Sequence, residues 1–497
     1  MRVDPRTPVI VGVGQADGRV EGGDGSSPEP VDLMAAAARA AGEDASARSL
    51  LARLDSVRVV SLLSWRYQDP GRLLAERLGA APRHTLLTGV GGNEPQELVT
   101  SAARDVAAGR ADVVLVAGGE AWRTRMKAKK RGERPDWTRQ ADHVLPSEIG
   151  EDVPLSSEQE KAVGLVMPVQ HYPIFEQALR IAAGRTVDEQ LDRSAALWSR
   201  FSTVAAGNPH AWTREALDPA TIRTPGPRNR WVGWPYPKLM NSNNDVDQAS
   251  ALLVCSAEVA GSLGVPRERW VFPHAAARAH DTYAVTERPA LHRSPAIRVA
   301  GRRALELAGV GIDDLAAVDL YSCFPSAVQV AAAELGLPLD DDALPLTVTG
   351  GLTFAGGPWN NYVGHAIATM VARLRAEGSA TGLVSANGGF LTKHAIGVYG
   401  TEPPAEGFRS QDVQDEVERE AAPTPAAPDH VGPGRVESWT VVHGREGPHQ
   451  AFVAVRTPDE ARTWAVSEDP DVLTALMERD VAGEKVAVRE GSRLDLG

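Results

Sequence analysis

Short apolar runs alternate along the chain with stretches in which apolar residues recur every three or four positions. The short runs are β-branched and end at glycine or polar residues, as buried strands do, whereas the longer stretches have helical periodicity. In the first quarter of the chain the predicted strands are Val9–Gly12, Ser56–Leu63 and Asp112–Ala117. The predicted helices are 32–42, 68–78 and 94–108, and a loop rich in Gly, Ser, Pro and acidic residues precedes the first of them. This alternation predicts an α/β fold.

One order of elements occurs twice, roughly 270 residues apart. The turn Gly89–Gly92 is followed by a helix, a strand and the pair Gly118-Gly119. Later, the turn Gly356–Pro358 precedes a helix over 361–376, a strand over 382–385 and the pair Gly388-Gly389. The recurrence predicts two similar halves built by duplication, although any two α/β units share some of this order.

The remaining segments differ from these halves in composition. Charged residues, Trp and Pro are frequent in a central insertion that contains one good helical stretch, 187–205. A stretch rich in Pro, Ala and acidic residues reads as a linker with a short helix over 411–420, and alternating apolar and polar positions follow it. The predicted boundaries are 1–120 for the first part of the N-terminal half, 121–238 for the insertion, 239–270 for the return strand and helix of that half, 271–400 for the C-terminal half, 401–435 for the linker and 436–497 for a small β-rich domain.

Composition and charge exclude several classes of protein. The 497 residues carry a net charge of -13, which argues against nucleic acid or an anionic membrane as the main partner. No uncharged apolar stretch reaches 18 residues, so we expect no membrane span and a cytoplasmic location. Two cysteines cannot form a disulfide framework, and His274 and His280 lack a third ligand, so no metal site is expected. The Gly12-Val-Gly14 turn is too far from the next helix to be a dinucleotide fingerprint.

Four motifs, spread in order over residues 9–399, resemble those of the thiolases. The segment Gly89–Gly119 resembles the thiolase nucleophile region, and Asp319–Phe324 resembles the Asn-Glu-Ala-Phe motif, or His-Asp-Cys-Phe in the sterol-carrier thiolases. Gly350–Pro358 resembles the loop that ends in Gly-His-Pro, and Ser385–Gly389 resembles Cys-x-Gly-Gly-Gly. Each motif alone would be weak, but together they form a specific match.

The resemblance implies a five-layered α/β/α/β/α fold of two related halves with a loop domain between them. This agrees with the duplication and the insertion inferred from the residues. The C-terminal domain resembles the one appended to type 1 thiolase-like proteins. Through this resemblance the chain is similar to acetyl-CoA acetyltransferases. The resemblance also implies a role in lipid or acyl-CoA metabolism.

The catalytic positions carried over from the family are all substituted. Thiolases use a thiolate at a helix N-terminus, a second cysteine as acid and base, and polar groups that hold thioester oxyanions. The resemblance places the nucleophile at Gly92, the Asn or His of the second motif at Tyr321, the histidine at Gly357 and the second cysteine at Ser385. None of these side chains can perform the family's chemistry, so we expect no normal condensation or cleavage.

Other residues are candidates for a replacement role. His394 is the stronger substitute because it follows the fourth motif, and His365 is the weaker one. Free cysteines are usually small buried hydrophobes, so we expect structural roles for Cys255 and Cys323. Three amides could donate to a thioester carbonyl or serve in turns and caps: Asn360, Asn361 and Asn387.

A basic run at 123–139 stands out in this acidic chain. The resemblance places it where thiolases have their CoA-binding loops, so pairing with CoA phosphates is expected. A solvated arm is the more common explanation for a run of charge. The residues predicted to bind CoA are Arg123, Arg125, Lys127, Lys129, Lys130 and Arg131.

The sequence alone leaves three hypotheses for the function. The leading hypothesis is a thiolase-like protein that binds CoA, acyl-CoA or a similar lipid-like molecule without condensing it. The first alternative is an acyltransferase that works without a covalent intermediate, through His394 or Tyr321. The second is a non-catalytic subunit that binds a protein partner.

Overall fold

The computed structural model describes residues 3–19 and 29–496, so most of the predicted Gly- and Pro-rich loop lies outside the described residues. The strands are β1 (Pro8–Asp17), β2 (Ser56–Val59), β3 (His84–Leu87), β4 (Val113–Ala121), β5 (Glu148–Ile149), β6 (Trp231–Trp234), β7 (Tyr236–Pro237), β8 (Asp247–Ser256), β9 (Phe272–His280), β10 (Ala317–Asp319), β11 (Thr381–Gly388), β12 (Lys393–Gly400), β13 (Arg409–Asp412), β14 (Gly432–His443), β15 (Pro448–Arg456), β16 (Arg462–Ser467), β17 (Lys485–Arg489) and β18 (Arg493–Asp495). The α-helices are α1 (Pro30–Asp44), α2 (Pro70–Leu78), α3 (Glu94–Ala107), α4 (Trp122–Lys130), α5 (Glu158–Ala162), α6 (Pro168–Ala182), α7 (Val187–Gly207), α8 (Pro219–Arg223), α9 (Ala257–Ser262), α10 (Pro295–Ala308), α11 (Pro325–Leu335), α12 (Gly351–Phe354), α13 (Tyr362–Glu377), α14 (Gln414–Glu420) and α15 (Pro470–Glu478).

Local signals explain why the helices begin and end where they do. Asp69 caps α2 by accepting a hydrogen bond from the Arg72 N–H, and Pro70 is the first residue of the helix. Gly79 ends α2 in the left-handed conformation, with φ of 67°. These features lie in the sequence itself, which is why the helical periodicity predicted this element within two residues.

Two sheets with the same internal arrangement confirm the duplication. The first sheet has the order β1-β8-β4-β2-β3-β5, and the second has the order β10-β11-β12-β9-β13. In the first, β2 runs parallel to β4, while β4–β8 and β8–β1 are antiparallel. In the second, β10 runs parallel to β11, while β11–β12 and β12–β9 are antiparallel. Four strands therefore repeat in order and direction.

Helices fill three layers around these two sheets. The central layer contains α3 and α13, each of which contacts strands of both halves. The helices α1 and α2 cover the outer face of the first sheet, and α10 covers the outer face of the second. The result is the predicted five-layered α/β/α/β/α fold.

Two predictions about the connecting segments were incomplete. The insertion contains five helices, α4 to α8, rather than the single predicted one, because α5 and α8 are only five residues long and α6 contains Pro173, which argues against a helix in the sequence. The segment 401–435 is not a free linker, since β13 pairs with β9 and α14 packs on α10. Ion pairs hold α14 there, including Arg303 with Glu416 at 2.8 Å. The acidic composition that suggested a linker supplies the partners of these arginines.

The C-terminal segment forms a closed barrel in which β14, β15, β16, β18 and β17 pair in a ring. Strand β6 of the insertion extends it by pairing with β14. Five closed strands with a helix between the third and fourth are the arrangement of an OB-type barrel, in which the second and third strands usually form the ligand-binding face. Here these strands contribute Phe452, Ala454 and Trp464 to the main core of the body. That face is therefore occupied by the rest of the chain.

A fully buried arginine joins the barrel to the body. Arg462 donates hydrogen bonds to the carbonyls of Val285, Thr286 and Arg288, at 3.2, 2.8 and 2.7 Å. It also forms a bidentate pair with Glu437 at 2.7 and 2.8 Å. Burial opposes ionisation of Glu437, but its hydrogen bonds and ion pairs with the arginines lower its pKa. Arg462 therefore donates hydrogen bonds both to a carboxylate of the barrel and to backbone carbonyls of the body.

No helix among the described residues has the length and apolar character needed to cross a bilayer.

We predict that Arg462→Met destabilises the protein by about 3–5 kcal/mol, because it leaves Glu437 without its buried partner and three carbonyls without a donor. Denaturant unfolding would measure the change. The matched control is Arg445→Met, an exposed arginine of the same barrel, with an expected change within about 0.5 kcal/mol. Equal stability of the two variants would contradict this role.

Candidate active site

Four of the five predicted catalytic positions meet at one place between the halves. Tyr321, Ser385 and His394 line a cavity of about 10 Å³, together with Asn387. Gly92 adjoins it, because a Cβ atom on this glycine would lie 2.4 Å from the Tyr321 hydroxyl. A cavity of this size holds about one water molecule at most. The four positions therefore come together in the tertiary structure, which leaves little space between them.

Gly92 lies just before α3, at the end of the helix where a thiolate would be stabilised. A Cβ atom there would meet the Asn387 carbonyl oxygen at 2.4 Å as well as the Tyr321 hydroxyl. The carbonyl belongs to the backbone of β11, so rotation of a side chain cannot relieve the clash. The packing of the site permits only glycine at this position without local displacement.

Tyr321 is fixed in the space beside Gly92. Its backbone N–H donates to the Ser385 hydroxyl at 2.9 Å, and its ring packs edge-on against Tyr362 at 5.5 Å. Burial raises the pKa of the Tyr321 phenol well above its ordinary value. The hydroxyl is therefore neutral and fills volume, and Ser385 supports the tyrosine backbone.

Asn387 and the second motif are held by Tyr172, a residue of α6 that no motif in the sequence singles out. The Tyr172 hydroxyl accepts hydrogen bonds from the Asn387 amide at 2.8 Å and from the Leu391 N–H at 3.0 Å. Its ring stacks on Phe324 at 4.5 Å. Cys323 lies 4.0 Å from the same amide, and burial raises its thiol pKa to about 12. The thiol is protonated at neutral pH and is a poor nucleophile.

Gly357, the remaining family position, lies outside the lining of this cavity. Its N–H donates to the Asn243 carbonyl at 2.9 Å. A Cβ atom there would have only ordinary contacts, the nearest at 3.5 Å from Asn243 and Leu352. Space for a small side chain exists at this position, in contrast to Gly92.

His394 is part of a buried polar network. Its Nε2 atom lies 3.2 Å from the Leu391 carbonyl and 3.5 Å from the Asp281 carboxylate. Burial opposes ionisation of Asp281, but hydrogen bonds from His394 and Ser294 and the charge of Arg288 lower its pKa. The Ser294 hydroxyl also lies 3.5 Å from Nε2 and donates its own proton to Asp281. All three neighbours of Nε2 therefore offer acceptor oxygens, so this nitrogen carries a hydrogen atom.

The other candidate residues have structural partners. His365 donates one hydrogen bond from Nδ1 to the side-chain amide oxygen of Gln15 at 2.8 Å, and burial lowers its pKa to about 3. Asn360 donates to the Ser61 carbonyl, and Asn361 donates to the Gly118 carbonyl. Cys255 is fully buried in β8, as expected. None of these residues lines the small cavity.

The basic run forms α4 and the loop after it, beside a groove of about 1070 Å³. Of the six residues predicted to bind CoA, Arg125 and Lys129 line this groove. Arg123 instead pairs with Asp245, and Arg131 pairs with Glu133; Lys127 and Lys130 are not part of the lining. We call this feature the basic groove; its charged lining residues are Arg66, Arg125, Lys129, Glu133, Arg134, Arg139 and Asp142.

The loop that forms one wall of the basic groove is fixed by Glu120. Its buried carboxylate accepts hydrogen bonds from the backbone N–H groups of Leu63 and Ser64, both at 2.7 Å. Burial raises the pKa of Glu120 to about 7, in spite of these donors. Arg125 donates to the Leu63 carbonyl at 2.7 Å from the groove side. Glu120 therefore holds the loop from its buried side, and Arg125 holds it from the groove side.

Within residues 3–19 and 29–496, no three His, Cys, Asp or Glu side chains are arranged to hold a metal ion.

We predict that Gly92→Ala destabilises the protein by about 1–3 kcal/mol, because the added methyl group overlaps Tyr321 and a backbone carbonyl. The control is Gly261→Ala in α9, where a Cβ atom meets nothing within 4 Å. This substitution should be neutral or stabilising, since alanine favours helix. Denaturant unfolding of both variants measures the contrast, and a neutral Gly92→Ala would refute the steric argument.

Known proteins similar to this chain identify its family. A monomeric SCP2-thiolase-like protein type 1 from Mycobacterium smegmatis is 33% identical, with 100% of each chain covered and a TM-score of 0.84. The model of the additional C-terminal domain of thiolase-like protein type 1 matches residues 412–493. No curated protein sequence matches.

More distant structures share the fold of the body. An acetyl-CoA acetyltransferase from Syntrophomonas wolfei is 18% identical, with 80% of this chain and 100% of that chain covered and a TM-score of 0.58. The dimeric peroxisomal thiolase of Saccharomyces cerevisiae is 14% identical, with 81% and 99% covered and a TM-score of 0.58. The full-length match and the shared C-terminal domain show that this chain belongs to the type 1 thiolase-like proteins of the thiolase superfamily.

Proposed function

We propose that this protein binds CoA or acyl-CoA in the basic groove and does not catalyse thiolase condensation or cleavage. The observation that carries the proposal is the contrast between the two sites. The basic groove is open and cationic, whereas the position of the family nucleophile is a glycine packed against Tyr321 and Asn387. The ligand site is thereby retained without the reacting groups.

The charge of the basic groove supports binding of an anion. Five basic side chains and two acidic ones line it, in a protein whose net charge is -13. One arginine guanidinium group can donate two parallel hydrogen bonds to the oxygens of a phosphate group. A ligand with several phosphate groups can form several such contacts. A volume of about 1070 Å³ is slightly above the usual range of about 300–1,000 Å³ for small-molecule sites, so the groove has room for a large ligand.

We propose that the chain is a monomer, like the Mycobacterium smegmatis relative as its description states. Strand β3 would be the edge of the parallel part of the first sheet, but β5 pairs with it at Leu86 and Leu87. Edge strands join sheets of different subunits only where their backbone groups are free. Strand β5 of the insertion therefore occupies backbone groups of β3 that the sheet of another subunit would need for pairing.

Acyl transfer through His394 is a second candidate function, favoured by its contact with Asp281 beside the small cavity. A carboxylate-bound histidine is a common acid and base in acyl transfer. The reaction would move an acyl group from its thioester to an acceptor and release free CoA. It requires the cavity to open, because the present volume of about 10 Å³ excludes a thioester.

We predict that calorimetric titration detects CoA binding and that the double variant Arg134→Gln, Arg139→Gln weakens it at least tenfold. Two charge-assisted contacts are lost, each of about 1.5–3 kcal/mol when fully formed. Arg445→Gln on the exposed barrel surface is the matched control and should bind normally. Absence of heat at millimolar CoA, or equal affinity of both variants, would overturn the proposal.

We predict no formation of acetoacetyl-CoA from acetyl-CoA and no thiolytic cleavage, because the nucleophile position has no side chain. Release of free CoA from acetyl-CoA should equal the rate without protein. If release is faster and His394→Ala abolishes it while CoA still binds, the second candidate function replaces the first.

A further inference from the structure

A second cleft, with a volume of about 450 Å³, lies between the first turn of α3 and the strands β9, β12 and β13. Its volume is typical of a small-molecule site, and it shares no lining residue with the basic groove. We call it the acidic cleft; the charged side chains that line it are Glu94, Glu97, Glu151, Asp412, Arg278 and Lys393.

The acidic cleft contains more carboxylates than cations. With histidines counted as neutral, four carboxylates face two cations. The Arg278 guanidinium group donates to Asp412 at 2.9 Å, and the Lys393 ammonium group donates to the Val90 carbonyl at 2.6 Å. Lys393 lies 3.8 Å from Glu94, which is too far for a hydrogen bond. The cleft therefore carries negative charge that its own cations do not neutralise.

Glu97 is a carboxylate of the cleft that lacks a hydrogen-bond donor. Its side chain is 20% exposed, and its nearest cation, Arg278, lies 3.6 Å away. Among the described residues no group donates a hydrogen bond to it. Burial raises the pKa of Glu97 to about 7 in spite of the charge of Arg278, and the charges of Glu94 and Asp412 contribute to the rise. A bound cation would relieve this cost.

The same wall of the cleft contains a second acceptor without a donor. Asn93, which lines the cleft, is only 7% exposed. Its Nδ2 atom donates to Glu94 at 3.1 Å, whereas its Oδ1 atom has no partner in the described part of the chain. Burial also raises the pKa of Glu94. This wall therefore offers acceptor oxygens and lacks donors, and an ammonium group supplies three donors with a positive charge.

The position of these acids at the start of α3 also has a structural benefit. Carboxylates in the first turn interact favourably with the helix dipole, and Glu94 and Glu97 occupy that turn. Exposed acids would provide this interaction without the cost that burial imposes here. The cleft and the missing donors therefore need a separate explanation.

We propose that the acidic cleft binds a small organic cation that carries a primary ammonium group. The ammonium group contacts the carboxylates of Glu97 and Glu94. The stacked rings of His280 and Tyr283, whose centres are 4.3 Å apart, line the same cleft and provide a surface for the carbon chain of the ligand. This site is independent of the proposed function, because it involves neither the basic groove nor CoA.

Calorimetric titration at constant ionic strength tests the chemical class of the ligand. The probes are 1,4-diaminobutane, 1,4-butanediol, tetramethylammonium chloride and magnesium chloride. We expect 1,4-diaminobutane to bind at one saturable site with a dissociation constant of about 1 mM or below. The neutral diol lacks the charge, and tetramethylammonium lacks N–H donors, so neither should bind saturably. Magnesium should not bind either, because no three carboxylate or histidine groups of the described residues are arranged around a common point.

Variants locate the binding in the cleft. Glu97→Gln should weaken 1,4-diaminobutane by at least about tenfold, because a charge-assisted contact is lost. Glu94→Gln should weaken it by at least about threefold, for the same reason. Glu446→Gln, on the exposed surface of the barrel, is the matched control and should bind normally. It changes the net charge of -13 by the same amount, so it measures any general attraction of cations to the chain.

Glu97→Gln keeps the size of the side chain and removes a poorly solvated charge, so the variant should fold, as denaturant unfolding would verify. Three results would overturn the inference: no saturable binding of 1,4-diaminobutane, equal binding of the diol or of magnesium, or equal affinity of Glu97→Gln and Glu446→Gln. CoA binding would be unaffected by any of these results, so the proposed function stands or fails separately.

Discussion

The contact between the Tyr321 hydroxyl and Gly92 is the constraint on which the chemistry of this protein depends. A side chain at Gly92 would lie 2.4 Å from that hydroxyl and from the carbonyl of Asn387. The tyrosine is held by Ser385 and is neutral, because burial raises its pKa. Gly92, Tyr321 and Ser385 are therefore packed against one another, and a cysteine at position 92 would not fit without displacing its neighbours. Gly92, Tyr321 and Ser385 therefore fit together as one packed group of side chains and backbone.

The barrel is connected to the same region through backbone carbonyls. Arg462 binds the carbonyls of residues 285, 286 and 288, and the side chain of Arg288 in turn donates to the carbonyls of Phe390 and Leu391. Leu391 follows the fourth motif and adopts φ of 58°, an unusual value for a branched residue. The carboxylate of Glu160 accepts from Thr286 in the same segment. The added domain thus fixes the loop beside the small cavity instead of extending freely from the body.

The cations of the basic run fall into two groups according to the groups that they contact. Arg123 and Arg131 have carboxylate partners at the surface, and such exposed pairs contribute little to stability. Arg125, Arg134 and Arg139 are instead held by carbonyls and aromatic rings. All of them look alike in the sequence as one run of charge. Trp65, which comes from a distant part of the chain, contacts Arg134 and Arg139 and thereby distinguishes them from the other cations of the run.

The sequence by itself determined the elements, the duplication and the positions of the four motifs. Periodicity, capping residues and helix-ending glycines are local, so α2, α3 and α7 are predicted to within a few residues. The resemblance to the thiolase motifs also predicted that Gly92, Tyr321 and Ser385 lie in one region. Only the tertiary structure decided that Tyr172 and Asp281 join them, that Gly357 does not, and that residues 401–435 are ordered. These outcomes depend on which side chains meet across segments far apart in the chain, and no local pattern encodes the few ångströms that separate an open pocket from a filled one.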